Sequence, residues 1–266
     1  MIVAQISDPH LAQRGDHFEG EAALQRAVTH LTRLPRLPDV VLLTGDLADE
    51  GRPEEYLRVK AVLAPLPMPV YAVPGNHDDR EAFLDAFGPQ GASPLDGFAQ
   101  YVVEGWPLRL PALDTVRPGQ SDGALGAAQL DWLDARLTED QDRPALLFMH
   151  HPPFQIGLPV SDSIALRDAG TFAALVARHS QIEAVVAGHV HATMTRRFAG
   201  TLALSAGSTK EEWVYDFSQL ARLVARREPP RCLLHVWDRQ TGLVTHSSMI
   251  GQDAPLTVLH DGQRWL

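Results

Sequence analysis

Short, uninterrupted apolar runs recur along the chain and constrain its fold more than any other feature. Most of them do not alternate apolar with polar residues, which is typical of strands covered on both faces. We therefore predict strands at Ile2 to Ile6, Val40 to Leu43, Val70 to Val73, Ala145 to Met149, Ala184 to Ala187, Leu202 to Ser205 and Leu233 to Trp237. Such strands need further layers on both sides of their sheets.

Amphipathic helices are predicted between these strands, because apolar residues recur there at helical spacing. The clearest sets are Leu24 with Val28 and Leu31, Leu130 with Leu133 and Leu137, and Phe172 with Leu175 and Val176. Strands that alternate with helices indicate the α/β class, with helices on the outer faces of mixed sheets. The charged run from Arg222 to Glu228 is expected to be a solvated helix face.

Composition excludes several classes of protein. No segment approaches the roughly 20 apolar residues of a membrane helix, and the apolar start from Met1 to Ile6 is too short for a signal peptide. We expect a cytoplasmic protein without a membrane partner. A formal charge of −10 argues against extended nucleic acid as a partner. The single cysteine, Cys232, excludes an internal disulfide and a thiolate-rich metal site, and it is predicted to lie in the core.

Polar side chains with metal-binding chemistry follow five of the predicted strands, at the point where each strand ends. They are Asp8 and His10, Asp46, Asn76, His150, and finally His189 and His191. The carboxyl ends of neighbouring strands lie at one edge of a sheet, so these side chains are expected to converge. Residues two apart in an extended chain point the same way, which would let each paired set face one site. Glycines 45, 75 and 188 fit tight turns close to that site.

These motifs resemble the calcineurin-like metallophosphoesterases. The resemblance lies in Asp8-x-His10, Gly45-Asp46, Gly75-Asn76-His77-Asp78, His150 and Gly188-His189-x-His191. It implies a four-layer α/β/β/α sandwich of two mixed sheets flanked by helices. We assign residues 1–208 to the catalytic core, and we expect 209–266 to add strands that complete the sandwich or to form an oligomer contact.

A narrower resemblance points to the bacterial branch of class III cyclic-nucleotide phosphodiesterases and glycerophosphodiesterases. It rests on Asp46 to Asp49, Gly51 to Tyr56, Pro74 to Asp79 and His150 to Pro153. It implies hydrolysis of small phosphodiesters, such as cAMP or glycerophosphodiesters, by a metal-bound hydroxide. From Thr209 onward the chain matches this branch poorly, so a homo-oligomer stays open.

The resemblance also implies a division of ligands between two transition-metal ions per chain. One ion is held by Asp8, His10 and His191, the other is held by Asn76, His150 and His189, and Asp46 bridges them. Mixed imidazole and oxygen ligands suit Fe, Mn, Zn or Co, divalent or trivalent, better than Mg or Ca. Asn76 offers only a neutral amide oxygen, so its ion is expected to be held more weakly.

Further residues are predicted to act on the substrate. By resemblance, His77 is catalytic rather than a ligand, and it stabilises charge on the phosphate or protonates the leaving alkoxide. Asp78 or Asp79 is expected to orient its ring. His17 and Phe18, in the loop after His10, are predicted substrate contacts, together with His151.

The sequence leaves two alternative functions open. The metal ligands alone do not decide between a phosphodiesterase and a phosphomonoesterase or nuclease on the same fold. A non-catalytic scaffold would have lost ligand residues, whereas all seven positions carry ligand residues here. The sequence therefore favours an enzyme.

Overall fold

The computed structural model describes residues 1–12, 18–218, 222–226, 230–251, 257–260 and 262–264. Its strands are β1 (Ile2–Ile6), β2 (Val40–Thr44), β3 (Val70–Val73), β4 (Tyr101–Val103), β5 (Leu110–Leu113), β6 (Ala145–Met149), β7 (Ile182–Ala187), β8 (Met194–Phe198), β9 (Thr201–Ser205), β10 (Glu212–Trp213), β11 (Ala225–Arg226), β12 (Arg231–Asp238) and β13 (Gly242–Met249). Its helices are α1 (Phe18–Thr32), α2 (Pro53–Leu63), α3 (Arg80–Phe87), α4 (Ala127–Thr138), α5 (Pro159–Ser163) and α6 (Ala169–Val176).

The strands form two mixed sheets and a short hairpin. The first sheet has the order β13-β12-β1-β2-β3, in which β1, β2 and β3 are parallel and β12 runs antiparallel to β1. The second sheet has the order β4-β5-β6-β7-β9-β8, with a parallel centre and an antiparallel strand at each edge. The hairpin pairs β10 with β11.

The two sheets face each other across an apolar layer. On β2, Val40 and Leu42 point into this layer, whereas Val41 and Leu43 pack in the cluster on the side of α1 and α2. Successive side chains of strand β6 likewise alternate between the inner layer and the apolar cluster that contains α4 and α6. Because both faces of these strands are covered, their sequences are apolar without alternation. The α/β class and the four-layer sandwich are confirmed.

All seven predicted strands are present, with ends that differ by at most two residues. The prediction missed strands whose sequences are more polar, such as β8, which lies at a sheet edge and exposes Thr195 to Arg197. It was wrong for the charged run from Arg222 to Glu228, because Ala225 and Arg226 form β11 rather than a helix face. Cys232 is buried on β12, as predicted. No helix in the described ranges is both long and apolar enough to span a membrane.

Candidate metal centre

The seven predicted ligands lie together at the carboxyl ends of strands β1, β2, β3, β6 and β7. Six of them are buried, and Asn76 is half-buried. They form two groups of three that meet at one carboxylate. We call Asp8, His10 and His191 the first half-site, and Asn76, His150 and His189 the second half-site.

In the first half-site, two imidazole nitrogens and a carboxylate face one another. His10 Nε2 lies 3.1 Å from His191 Nε2, and His191 Nε2 lies 3.6 Å from Asp8 Oδ1. The ligand atoms of all three residues are within 4.8 Å of one another. One small cation between them would contact all three.

In the second half-site, His150 Nε2 lies 3.1 Å from Asn76 Oδ1 and 3.2 Å from His189 Nδ1. The remaining carboxylate, Asp46, lies between the two half-sites. Its Oδ2 is 3.4 Å from His150 Nε2 and 3.6 Å from His10 Nε2. The Asp46 carboxylate therefore faces both groups at once.

The backbone around these ligands adopts an uncommon conformation. Asp8, His10, Asp46, His189 and His191 have φ angles of 53°, 44°, 49°, 70° and 45°. Non-glycine residues rarely adopt this left-handed region, and such strain persists where the surrounding structure enforces it. The expected extended backbone was wrong, although Asp8 and His10 do face the same half-site, as predicted. The chain bends at each ligand, and the two histidines at 189 and 191 contribute to different half-sites.

Two of the glycines between these strands and loops are required by close contacts. A Cβ atom at Gly75 would overlap Asp46 Oδ1, and one at Gly188 would overlap the side chain of Ser7 and lie 2.7 Å from Asp8 Oδ2. Any larger residue would displace a carboxylate of the site. This matches the prediction that the backbone passes close to the ligands at these turns.

The hydrogen bonds and charges of the site fit a pair of metal ions. His150 Nδ1 donates to Thr44 O (2.8 Å), and His189 Nε2 donates to Ile164 O (3.0 Å). A cation bound between the opposite nitrogens, His150 Nε2 and His189 Nδ1, would take the place of the proton that they otherwise share. Burial lowers the pKa of His150, but the charge of Asp46 outweighs it and raises that pKa to about 9. The same carboxylate favours any cation at this place.

His77 lies at the open side of the centre. Its side chain is 43% exposed, and its ring meets the His10 ring edge-on with centroids 4.7 Å apart. Its backbone N–H donates to Asp46 Oδ1 (2.9 Å), and its Nδ1 donates to the backbone oxygen of Asp49 (2.9 Å). Since Nδ1 is held in this way, Nε2 is the nitrogen that can exchange a proton with a substrate.

The prediction that Asp78 or Asp79 orients His77 was wrong. Asp78 is buried and accepts hydrogen bonds from the backbone of Leu47, Ala48 and Gly75. Asp79 caps the first turn of α3. Both side chains hold backbone segments that shape the site. The contact that orients the His77 ring is instead its hydrogen bond to the backbone carbonyl of Asp49.

Of the three predicted substrate contacts, His151 is the one whose side chain the structure describes. His151 is completely buried, its Nδ1 lies 2.7 Å from Thr115 Oγ1, and its Nε2 donates to Ser121 O (3.2 Å). With both nitrogens paired inside the protein, its position speaks against a substrate contact. His17 lies outside the described residues. Phe18 begins α1, and its side chain lies outside the described part of the chain.

Three residues near the first half-site were missed. Asp49 Oδ1 lies 3.3 Å from His10 Nδ1, Glu211 Oε1 lies 3.6 Å from His191 Nδ1, and the Trp213 ring stacks on the His191 ring at 4.9 Å. Asp49 ends a segment that carries the family resemblance, which was a usable signal. The other two belong to the segment after Thr209, where no motif marked them.

Comparison with known proteins decides the family. The model of the family described as calcineurin-like phosphoesterase matches residues 1–193. The chain belongs to this family. A relative from Arcobacter nitrofigilis, "Probable glycerophosphodiester phosphodiesterase GpdQ", is 34% identical over 257 residues, which cover 95% of this chain and 94% of the relative. Another from Synechococcus sp., "Probable cyclic nucleotide phosphodiesterase syc0937_d", is 39% identical over 198 residues, which cover 72% and 73% of the two chains.

Solved structures agree with this calcineurin-like phosphoesterase fold. A dimetal phosphatase from Danio rerio superposes with a TM-score of 0.68 at 17% sequence identity, covering 94% of this chain and 98% of that one. At this identity the likeness concerns the fold alone. Family membership and the His and Asp clusters together indicate a binuclear metal site in this calcineurin-like phosphoesterase.

Proposed function

We propose that this calcineurin-like phosphoesterase hydrolyses small phosphodiesters, and that cyclic nucleotides and glycerophosphodiesters are its candidate substrates. The observation that carries the proposal is the position of Asp46 Oδ2 between two half-sites, 3.4 Å from His150 Nε2 and 3.6 Å from His10 Nε2. The names of the two relatives support the diester class.

The ligand assignment is part of this proposal. The residues of the first half-site would hold one transition-metal ion and those of the second half-site the other, with the Asp46 carboxylate shared between them and Fe, Mn, Zn or Co as the candidate metals. When bound, two such ions lower the pKa of water and neutralise charge on a phosphate. The predicted division 1–208 and 209–266, the homo-oligomer and the cytoplasmic location stay predictions.

The protein's own groups suit a small diester. His77 stands exposed beside the buried His10, where a phosphate oxygen or a leaving alkoxide would approach, and it can donate a proton through Nε2. The net charge of −10 gives little attraction for a long nucleic-acid backbone, which disfavours the nuclease alternative. All seven positions carry residues that can bind a metal ion, which disfavours a non-catalytic scaffold.

Substrate comparison tests the proposed function. We expect faster hydrolysis of glycerophosphodiesters, cAMP, cGMP and bis(p-nitrophenyl) phosphate than of p-nitrophenyl phosphate or single-stranded DNA. Removal of metal by chelation and dialysis should abolish this activity while circular dichroism stays unchanged, because the apolar layers that hold the fold do not contain the ions. Full activity after chelation, or a preference for the monoester, would contradict the proposal.

Replacement of Asn76 tests the division between the two ions. Asn76→Ala should weaken the ion of the second half-site by at least about tenfold, since a neutral ligand oxygen is lost while the first half-site is untouched. Elemental analysis after dialysis should then give a metal content that falls from two towards one per chain. Asn76→Asp supplies an anionic oxygen at the same place and should keep two. Equal loss of both ions in Asn76→Ala would contradict the assignment.

A further inference from the structure

We propose that Glu211 is a positioning residue that strengthens metal binding in the first half-site by acting through His191. This inference rests on the proposed two-metal function and adds a residue from the segment after Thr209. It starts from the geometry of the His191 ring. His191 Nε2 faces Asp8 and His10, whereas His191 Nδ1 faces Glu211.

The outer nitrogen of His191 needs an acceptor. When a neutral imidazole gives one nitrogen's lone pair to a metal, its other nitrogen carries the proton. His191 Nδ1 is buried and makes no hydrogen bond within the described part of the chain. Glu211 Oε1 lies 3.6 Å away, so a small movement of this carboxylate completes a hydrogen bond.

The segment that carries Glu211 is anchored to the ligand loops. Ser208 Oγ donates to the backbone oxygen of Asp8 (2.7 Å) and accepts from Lys210 N (2.9 Å). Further along, the Trp213 ring stacks on the His191 ring with an interplanar angle of 25°. Contacts on both sides of Glu211 therefore hold it beside His191.

The two half-sites differ in the groups that lie next to the outer ring nitrogens of their histidines. In the second half-site, His150 and His189 donate to neutral backbone carbonyls. In the first half-site, carboxylates of Asp49 and Glu211 lie behind His10 and His191. A carboxylate acceptor makes an imidazole a stronger ligand and fixes its orientation, so the first half-site should bind its ion more tightly.

The test is metal affinity rather than catalytic rate. Glu211→Gln keeps the size of the side chain and removes its charge. In calorimetric titrations of the metal-free protein with Mn²⁺, we expect the tighter of the two dissociation constants to rise by about 10–100-fold, with the weaker one unchanged. An unchanged tighter constant, or an equal loss at both sites, would overturn the proposal.

Glu212→Gln is the matched control. It removes the same charge one residue later, from a side chain whose Oε2 lies 3.9 Å from Arg226 Nη2. Both constants should stay at their original values in this variant. If Glu212→Gln weakens binding as much as Glu211→Gln does, the effect is general electrostatics and the proposal fails. The titration needs no substrate, so it gives its answer even if the protein hydrolyses none of the tested diesters.

Discussion

Replacing Asp46 with alanine should remove both metal ions and lower phosphodiester hydrolysis by more than about 10³-fold. The reason is the position of one oxygen. Asp46 Oδ2 lies 3.6 Å from His10 Nε2 and 3.4 Å from His150 Nε2, so its charge serves both half-sites. Burial acts to raise the pKa of Asp46, but the neighbouring histidines, His150 first, hold that pKa well below its usual range. Its side chain is therefore an anion that attracts two cations.

Elemental analysis and calorimetric titration would measure this loss directly. Asp46→Asn is the matched variant, because its amide oxygen can still accept the 2.9 Å hydrogen bond from His77 N while one anionic oxygen is removed. We expect both variants to lose affinity at both half-sites and to keep the circular dichroism spectrum of the original protein. Two tightly bound ions per chain in either variant would exclude a bridging carboxylate.

Much of the fold could be predicted because the central strands carry an unusual sequence signal. Val40 to Leu43 face the other sheet and the helices in turn, so every position is apolar and the run stands out. Strand β13 lacks this signal, because several of its side chains are exposed and its sequence alternates irregularly. Strand β5 contains Pro111, which weakens a strand prediction from sequence although the strand is buried.

The place of the site could be predicted for a topological reason. Parallel strands bring their carboxyl ends to one edge of each sheet, and the polar residues after β1, β2 and β3 of the first sheet meet those after β6 and β7 of the second. What sequence could not supply was the local path of the chain. The positive φ angles at Asp8 and His191 depend on contacts between loops. The same holds for Asp78, which lies next to His77 in sequence but holds Leu47 and Ala48 instead.

His77 is the residue that we propose to donate a proton to the substrate. We expect His77→Ala to keep both metal ions yet lower hydrolysis of cyclic nucleotides or glycerophosphodiesters by about 10²–10⁴-fold, the usual contribution of a general acid or base. The backbone N–H that donates to Asp46 remains in the variant, so the metal ligands stay in place. Metal content by elemental analysis and rates on each substrate are the measurements. His246→Ala, which removes an exposed histidine on β13, is the control and should change neither.

The size of the loss should depend on the leaving group. An alkoxide from a ribose or glycerol ester needs a proton, and His77 Nε2 can supply it because Nδ1 is held by the carbonyl of Asp49. The p-nitrophenolate ion is stable without a proton, so bis(p-nitrophenyl) phosphate should lose far less rate in the variant. Equal losses on both substrates would make His77 an electrostatic or positioning residue instead of a proton donor. Loss of a metal ion in the variant would contradict the assignment of metal ligands, in which His77 holds none.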